Sequence, residues 1–304
     1  MIVIDNLSKS FGNKVVLDKL SCQIQEKSIY GIIGVNGAGK STLLRIINGI
    51  YKQNSGSVTI DGENIVDNED LKQEIAFVPD EFYFFHGYKL IDLAKFYQAL
   101  YKKFDMNRFN SLIQMLGLNQ KEKISTFSKG MKRQSALACA LSTGAKYMFF
   151  DETFDGLDPI KRNEIKNILR SIAHQDGTTI VMTSHNLKEV EDICDDMGIL
   201  TSGNLSMESE IHPKDTNLTK LQIAFPQNVG EAQIRGALSN AGILDILSCK
   251  IVGRVITIIF KGDLNQSVEA IKTLNPILID KLNLSLEETF IYEKEEFDNV
   301  SNRK

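Results

Sequence analysis

The sequence has few cysteines, no long hydrophobic run and no excess of positive charge. Its four cysteines lie far apart and form no CxxC pair, which excludes a disulfide framework and a cysteine-rich zinc site. No uninterrupted apolar stretch approaches the ~18 residues of a membrane-spanning helix, so any membrane role is expected to depend on a separate subunit. The formal net charge of −4 lacks the basic footprint of a nucleic-acid-binding protein, and we expect no nucleic-acid partner.

The beginning of the given sequence is not expected to act as a signal peptide. Its first residues, MIVIDNLSKSF, have neither the basic start nor the long apolar core of a signal peptide. Together with the dispersed cysteines, this favours a cytosolic protein whose thiols are reduced and mostly buried. The length of 304 residues allows one large domain or two.

A glycine-rich segment at 34–42, GVNGAGKST, is the motif around which the chain is organised. It follows the apolar run Ile29–Ile33 and precedes Leu43–Asn48, where apolar residues recur at helical spacing. Its glycines and lysine fit the phosphate-binding pattern G-x-x-x-x-G-K-[ST]. An ordinary glycine turn before a helix is the alternative, but the flanking strand and helix favour nucleotide binding.

A triphosphate needs several inward-pointing backbone N–H groups, and only a glycine-rich turn lets the backbone approach that closely. The positive end of the following helix adds to the attraction. Lys40 is expected to reach the β- and γ-phosphates, and the hydroxyl of Ser41 to ligate Mg²⁺. The residues predicted to bind ATP in this loop are Gly34, Val35, Asn36, Gly37, Ala38, Gly39, Lys40, Ser41 and Thr42.

Two adjacent carboxylates follow the short apolar strand predicted at Tyr147–Phe150. A wholly apolar strand is typical of the centre of a parallel sheet, and ligands bind at the carboxyl ends of such strands. Asp151 can hold Mg²⁺ directly or through water, and Glu152 can polarise the attacking water. Two solvated carboxylates at a strand end are the alternative, but the phosphate-binding motif favours an ATPase site.

The pattern of predicted elements divides the chain into an α/β ATP-binding domain, residues 1–210, and a smaller domain, residues 218–296. Within the first, residues 81–145 carry apolar and aromatic residues at helical spacing, which predicts a helical subdomain inserted into a parallel or mixed sheet. The predicted order βαββαβ in the second is that of a ferredoxin-like α+β domain. A linker around Glu210–Asn217 separates the two, and residues 297–304 form a polar tail.

The motifs of residues 1–210 resemble those of the ATP-binding subunit of an ABC (ATP-binding cassette) transporter. The segments that carry the resemblance are GVNGAGKST at 34–42, FSKGMKRQ at 127–134, YMFFDE at 147–152, FDGLDP at 154–159 and TSH ending at residue 185. Any one of them could arise by chance, but five in this order are very specific. The resemblance therefore predicts a phosphate-loop ATPase fold for the first domain.

The resemblance implies a role for each matching position. Phe11 takes the place of the aromatic residue that stacks on adenine, Glu152 that of the catalytic base, and His185 that of the switch histidine that contacts the γ-phosphate. The family signature contacts a nucleotide held by a second cassette; its residues here are Ser128, Lys129, Gly130 and Met131. The remaining assignments are the dimer-interface loop at Asp155, Gly156, Leu157 and Asp158, a catalytic role for Lys40, and metal binding by Ser41, Asp151 and Asp80.

The sequence departs from the family pattern at two places. The family usually has glutamine after Pro79, where this chain has Asp80 and Glu81. A carboxylate cannot donate a hydrogen bond as an amide does, but it can accept one from metal-bound water. Asp80 is therefore assigned the magnesium link, with Glu81 as the alternative. The signature also has Lys129 and Met131 where glycine and glutamine are commoner.

These implications predict an ATP-hydrolysing subunit that powers a membrane exporter, with ATP and Mg²⁺ as cofactors. The expected partners are an integral membrane permease and a second nucleotide-binding subunit, identical or related, at the cytoplasmic face of the membrane. The aromatic run Phe82–Phe85 is either the surface that contacts the permease or local packing. The segment SLEETFIYE at 285–293 resembles the C-terminal segment of cassettes that serve drug, peptide or antibiotic exporters.

Two other functions remain as alternatives. One is a soluble cassette ATPase acting on ribosomes or nucleic acid; such proteins usually carry two cassettes, or long coiled-coil or zinc insertions, and this chain has one cassette and neither insertion. The other is an ATP-gated regulatory module with little turnover. For the second domain the alternatives are a sensing role, support of a dimer and plain packing.

Overall fold

A computed structural model describes the protein over residues 1–154, 158–210, 218–240, 242–243, 245–284 and 288. Within it the chain separates into two units, Met1–Ile211 and His212–Lys304. Three predicted segments lie wholly or mostly outside the described residues. They are the polar tail, most of the linker, and the segment at 285–293 apart from Glu288.

A six-stranded sheet forms the centre of the first unit. In spatial order its strands are β5 (Ile75–Val78), β6 (Tyr147–Asp151), β7 (Thr179–Ser184), β3 (Ile29–Ile33), β8 (Asp196–Thr201) and β9 (Asn204–Glu210). The first five run parallel and β9 is antiparallel to β8. Strands β6, β7 and β3 are buried throughout, as their mainly apolar sequences predict.

A second, antiparallel sheet of the same unit has the spatial order β2 (Lys14–Ile24), β1 (Ile2–Phe11) and β4 (Ser55–Ile60). Its buried aliphatic side chains share one hydrophobic cluster with the central sheet and with the helix after β3. The sequence places Phe11 in a turn, whereas in the structure it is the last residue of β1. The turn is made by Gly12 and Asn13, because Gly12 adopts a positive φ angle of +57° that suits a hairpin.

Several helices of the first unit begin at polar residues whose side chains cap them. Side-chain oxygens of Asp105, Ser128, Asp158 and Asn186 accept hydrogen bonds from backbone N–H groups in the first turn of the helix that follows each. The helices are α1 (Lys40–Ile47), α2 (Glu69–Gln73), α3 (Leu90–Leu100), α4 (Met106–Leu116), α5 (Lys129–Leu141), α6 (Pro159–His174) and α7 (Leu187–Ile193), with a 3₁₀ turn at Ile124–Thr126. Helices α3 to α5 lie within the predicted helical insertion.

The carboxyl ends of β3, β6 and β7 meet at one edge of the central sheet. Strand β7 lies between the other two, with Thr183 opposite Asp151 and Ser184 opposite Ile33. Parallel strands place their carboxyl ends at the same edge, and ligands bind there in open α/β sheets. This topology gathers residues that are far apart in the sequence.

The second unit is a four-stranded antiparallel sheet with two helices. Its strands have the spatial order β11 (Ile246–Val252), β12 (Val255–Lys261), β10 (Leu218–Ala224) and β13 (Leu278–Leu282), and its helices are α8 (Glu231–Asn240) and α9 (Leu264–Lys272). This is the order of a ferredoxin-like βαββαβ unit. Buried side chains of both helices and of β10 and β12 form its own hydrophobic core. The predicted α/β fold class, with an α+β second part, is confirmed.

Candidate functional site

The loop between β3 and α1 has the backbone of a tight glycine turn. Gly37 and Gly39 have φ angles of +83° and +112°, which residues with side chains rarely adopt. A Cβ atom on Gly39 would also lie 2.9 Å from Cδ2 of Leu17 and 3.0 Å from the carbonyl oxygen of Val16. Position 39 therefore requires glycine both for its conformation and for this close approach.

The predicted ATP-binding residues differ in their exposure. Residues 35–37 are exposed at the tip of the loop, residues 38–40 are buried, and Ser41 and Thr42 lie between these extremes in the first turn of α1. The backbone N–H groups of that turn are free of intrahelical partners in any α-helix, which makes them donors for an anion. The loop and the turn together therefore offer backbone donors to a phosphate group.

The side chain of Lys40 lies along the base of this loop. Its Nζ atom donates to the carbonyl oxygens of Gly34 (2.7 Å) and Val35 (3.3 Å) and lies 3.0 Å from Oε1 of Glu152. The side chain is only 3% exposed. A buried ammonium group that already binds oxygen atoms can bind a phosphate oxygen in place of one of them.

Ser41 and Asp151 are joined directly. The Oγ atom of Ser41 donates to Oδ1 of Asp151 over 3.0 Å, and Oγ1 of Thr183 donates to the same oxygen over 2.8 Å. Asp151 is fully buried, and its other oxygen, Oδ2, has no hydrogen-bond partner among the described residues. Buried polar atoms nearly always have a partner, and a cation or a water molecule beside this oxygen would supply one.

Magnesium fits this donor set, because Mg²⁺ prefers carboxylate and hydroxyl oxygens and retains several waters. Asp151 and Ser41 would supply the two protein oxygens. Burial raises the pKa of Asp151, and the hydroxyls of Thr183 and Ser41 lower it only in part. A nearby divalent cation would offset this desolvation and keep the carboxylate ionised.

Glu152 stands where the backbone turns sharply after β6. Its φ angle of +47° is uncommon for a residue with a side chain. Its carboxylate contacts two groups, with Oε1 near Lys40 and Oε2 3.3 Å from Nδ1 of His185. Burial alone would raise the pKa of Glu152, but the hydrogen bond and charge of Lys40 and the proximity of His185 bring it below the usual range. The carboxylate is therefore ionised at neutral pH, as a base must be.

Phe11 lies at the surface of the first unit with a half-exposed ring. The ring of Tyr51 meets it edge-on at a centroid distance of 5.6 Å, and Nζ of Lys9 lies 4.9 Å from its centroid. An exposed ring held by neighbours can accept a flat base on its free face. The stacking role of Phe11 stays a prediction, now with Tyr51 and Lys9 as its supports.

The signature residues lie at the start of α5. The Oγ atom of Ser128 accepts a hydrogen bond from the N–H of Met131 over 3.2 Å, which caps the helix. Lys129 and Gly130 occupy the first turn between them. Among the described residues, no hydrogen bond or ion pair joins this turn to Lys40. Its role toward a second nucleotide stays a prediction.

The predicted dimer-interface loop is described only at its last residue. Asp155, Gly156 and Leu157 lie outside the described residues. Asp158 accepts hydrogen bonds from the N–H groups of Ile160 and Lys161 and so caps α6. Its described role is local, and an interface role for the loop stays a prediction.

Asp80 forms an ion pair with Arg133, which lies on α5. The side chain of Arg133 is 4% exposed and that of Asp80 is 40% exposed. In the described contacts, Asp80 is bonded neither to Ser41 nor to Asp151. The pair links the end of β5 to the helix that starts at the signature, while the metal-binding role of Asp80 stays a prediction.

Two residues of this region were missed by sequence reasoning. Thr183 bonds to both residues of the carboxylate pair, and Arg133 holds Asp80. Thr183 had a weak signal, since it is the first residue of the segment TSH that ends at His185. Arg133 had none, because a basic residue in the first half of a helix is common on any solvated face.

A glycine loop, a buried lysine and a carboxylate pair at the end of a central strand define a phosphate-loop ATPase. The family model of ABC transporters matches residues 17–155. The ABC transporter ATP-binding protein YtrB of Bacillus subtilis is 28% identical over 291 residues, covering 96% of this chain and 97% of that protein. YdbJ of the same organism, an uncharacterised ABC transporter ATP-binding protein, is 30% identical over 298 residues, with 95% and 93% covered. The chain belongs to the ATP-binding subunits of ABC transporters, which are ATPases, as its motifs predict.

Solved structures agree with this fold. An ATP-binding subunit of an ABC transporter has a TM-score of 0.64 and 24% identity, covering 69% of this chain and 90% of that one. A dimeric ATP-binding cassette solved with ADP and Pi has a TM-score of 0.63 and 23% identity, covering 70% and 100%. Among the helices of the described residues, none combines the length and the hydropathy needed to cross a bilayer.

Proposed function

We propose that this chain is the ATPase motor of an ABC exporter, working as one of two cassettes beneath a membrane permease. The observation that carries the proposal is the meeting of Lys40, Ser41, Asp151, Glu152 and His185 at one edge of the central sheet. Hydrolysis of a bound triphosphate needs a phosphate-binding cation, a metal site and a base, and these five residues supply all three.

Each residue has a task in this proposal. Lys40 binds the β- and γ-phosphates, and Ser41 and Asp151 hold magnesium, which neutralises phosphate charge when bound. The ionised Glu152 orients the attacking water and accepts its proton. His185, which lies 3.3 Å from Glu152, is assigned the contact with the γ-phosphate. The phosphate displaces Glu152 from Lys40, which frees the carboxylate for water.

The second half of each ATP site comes from a second cassette. Ser128 begins α5, so the free N–H groups of that turn form an anion site. A head-to-tail pair of cassettes places this turn over the nucleotide of its mate and encloses two ATP molecules. Phe11 stacks on adenine at the rim.

The permease is proposed to dock beside the carboxyl end of β5. Residues 82–85 carry three phenylalanines and Tyr83, whose side chain is 93% exposed, and Phe85 is also exposed. Exposed aromatic side chains close together are typical of protein interfaces. The pair Asp80–Arg133 lies next to this run and joins it to the signature helix.

Export of a peptide antibiotic or a similar compound is the proposed direction. Relatives named for bacitracin transport in Enterococcus faecalis and lantibiotic transport in Streptococcus pyogenes are 30% and 32% identical, over 234 and 230 residues. The export-like segment at 285–293 supports the same direction. The relatives that match nearly the whole chain are named as transporter subunits, which disfavours a ribosomal or purely regulatory role.

The experiment for the motor is Glu152→Gln, with Glu69→Gln, an exposed residue of α2, as the control. Turnover should fall by about 100-fold or more, the usual contribution of a general base. ATP binding should persist, and ATP should drive a stable dimer visible by light scattering. Undiminished turnover in Glu152→Gln would show that another group is the base.

A search of the neighbouring reading frames for a membrane permease comes first, and the direction of transport is then tested with that permease. Co-purification of the two proteins, and ATP-dependent accumulation of a labelled peptide antibiotic in inside-out vesicles, are the expected results. Accumulation only in right-side-out vesicles would contradict export, and failure to co-purify would contradict the partnership.

A further inference from the structure

The hydroxyl of Thr183 lies between the two carboxylate residues of the ATPase site. Its Oγ1 atom donates to Oδ1 of Asp151 over 2.8 Å and accepts from the backbone N–H of Glu152 over 3.0 Å. The carbonyl oxygen of Thr183 accepts from the same N–H over 3.2 Å. The residue is 1% exposed. One buried side chain thus touches the neighbours on which both metal binding and water activation depend.

The direction of these hydrogen bonds is fixed by chemistry. A backbone N–H can only donate, so the hydroxyl oxygen must accept from Glu152. Its single proton is then available for Oδ1 of Asp151, which lies 2.8 Å away and accepts it. Thr183 therefore has one arrangement that satisfies both neighbours, and strand register supplies it, since Thr183 is paired with Asp151 across β6 and β7.

This arrangement determines which oxygen of Asp151 is available. Ser41 and Thr183 both donate to Oδ1, whereas Oδ2 has no partner among the described residues. With two donors on one oxygen, the carboxylate cannot rotate without breaking both bonds. The other oxygen is thus held in a constant direction at the edge of the sheet.

The same residue holds the turn at Glu152. A φ angle of +47° is unfavourable for glutamate unless surrounding bonds maintain it. Both the carbonyl and the hydroxyl of Thr183 bond to the N–H of Glu152. The turn aims the carboxylate at Lys40 and His185.

We propose that Thr183 is a positioning residue, which fixes Asp151 for magnesium and Glu152 for water through one hydroxyl group. The inference rests on the proposed function, because it assigns Thr183 a task within that ATPase site. It predicts that magnesium dependence and turnover change together when the hydroxyl is lost.

The test compares three variants. Thr183→Val removes the hydroxyl and keeps the shape, and Thr183→Ser keeps the hydroxyl. Thr179→Val is the matched control, because Thr179 lies on the same strand, is equally buried, and accepts a hydrogen bond from the backbone N–H of Lys27, but at the far end of β7. If Thr183→Val does not fold, Thr183→Ala takes its place in the same measurements.

The readouts are turnover, KM for ATP, and the Mg²⁺ concentration at which a fluorescent ATP analogue binds half-maximally. Thr183→Val should lower kcat by about 10-fold or more and raise the half-maximal Mg²⁺ concentration by a similar factor. Changes of this size follow when the hydrogen bonds that orient a metal ligand are lost. KM for ATP should change by less than about 3-fold, because Lys40 and the loop are untouched. Thr183→Ser should restore both quantities to near wild type, and Thr179→Val should leave both unchanged.

Two results would overturn the inference: wild-type magnesium dependence in Thr183→Val, or an equal loss in Thr179→Val, which would indicate general weakening of the strand. Failure of the proposed function looks different. In that case the wild-type protein has no ATP turnover, or the Glu152→Gln variant turns over ATP as fast as the wild type. Neither result depends on the residue at position 183.

Discussion

The Nζ atom of Lys40 lies 3.0 Å from Oε1 of Glu152, so the buried lysine of the phosphate loop and the proposed base form an ion pair. In the proposed function the two groups serve different steps, Lys40 the binding of phosphate and Glu152 the activation of water. If phosphate replaces Glu152 as the partner of Lys40, its binding releases the carboxylate. The proposal therefore predicts that the ion pair couples occupancy of the loop to the availability of the base.

Replacement of Lys40 tests the phosphate side of this pair. Lys40→Met should weaken ATP binding by about 10-fold or more, as expected for loss of a charge-assisted hydrogen bond to phosphate. Lys72→Met, at an exposed position of α2, is the control and should bind ATP as the wild type does. Titration with a fluorescent ATP analogue measures both. Equal affinity of Lys40→Met and wild type would contradict the role of Lys40.

The pH dependence of stability tests the carboxylate side. The pKa of Glu152 lies below its ordinary value of 4.5: burial opposes this shift, and Lys40 and His185 produce it. A lowered pKa in the folded state means that the ionised carboxylate favours folding. This contribution is complete above pH 4.5 and is lost as the pH falls through the lower pKa of the folded state.

The measurement is the free energy of unfolding of wild type minus that of Glu152→Gln, without nucleotide. The difference should be constant near neutral pH and shrink as the solution becomes more acidic than the ordinary pKa. In a Lys40→Met background the same difference should depend much less on pH, because its largest favourable cause is gone. A difference that grows on acidification would contradict the sign of the shift.

The pair Asp80–Arg133 should contribute to stability through the buried arginine. Asp80→Asn removes this counter-charge from Arg133 and should lower the free energy of unfolding by about 1–3 kcal/mol. The loss should be smaller than for a fully buried ion pair, because Asp80 is partly exposed. Urea unfolding of both single variants and the double variant Asp80→Asn/Arg133→Met measures the coupling. Additive effects would mean that the contact carries no energy.

A different substitution tests the predicted metal role of Asp80, because asparagine would keep an oxygen that accepts a hydrogen bond. If Asp80 accepts a hydrogen bond from metal-bound water, Asp80→Ala should raise the Mg²⁺ requirement for turnover, and Arg133→Met should not. Glu81→Ala distinguishes the neighbouring acid. A change in Mg²⁺ requirement with Glu81→Ala alone would transfer the role to Glu81.

Ser128 is predicted to serve both as a helix cap and as a contact for a second nucleotide, and two substitutions separate these roles. Ser128→Ala should cost about 1 kcal/mol of stability through the lost cap, whereas Ser128→Asp keeps the cap. Both should lose ATP-driven dimerisation, and Ser128→Asp the more completely, because its carboxylate repels phosphate. Asp105→Ala, which removes the cap of α4, is the control that loses stability but not dimerisation.

Dimerisation is measured by light scattering with the Glu152→Gln change in every chain, so that ATP persists. If Ser128→Asp dimers form as readily as the parent, the signature does not face the nucleotide.

The positions of the strands, the phosphate loop and the helix starts were predictable from the sequence because their causes are local. The apolar runs of β3, β6 and β7 predict buried strands, and the glycines of the loop are required by its own backbone angles. Ser128 caps α5 through an N–H only three residues away. Bounds shifted where tertiary pairing extended an element, as when β1 continued through Phe11.

The sequence by itself determined that this is a phosphate-loop ATPase of the ABC type, and it predicted which side chains carry its chemistry. The tertiary structure alone decided their pairings: Lys40 with Glu152, Thr183 with Asp151, and Asp80 with Arg133. These contacts depend on which strands become neighbours and in what register, and that is settled by burial of the whole sheet rather than by any local run of residues.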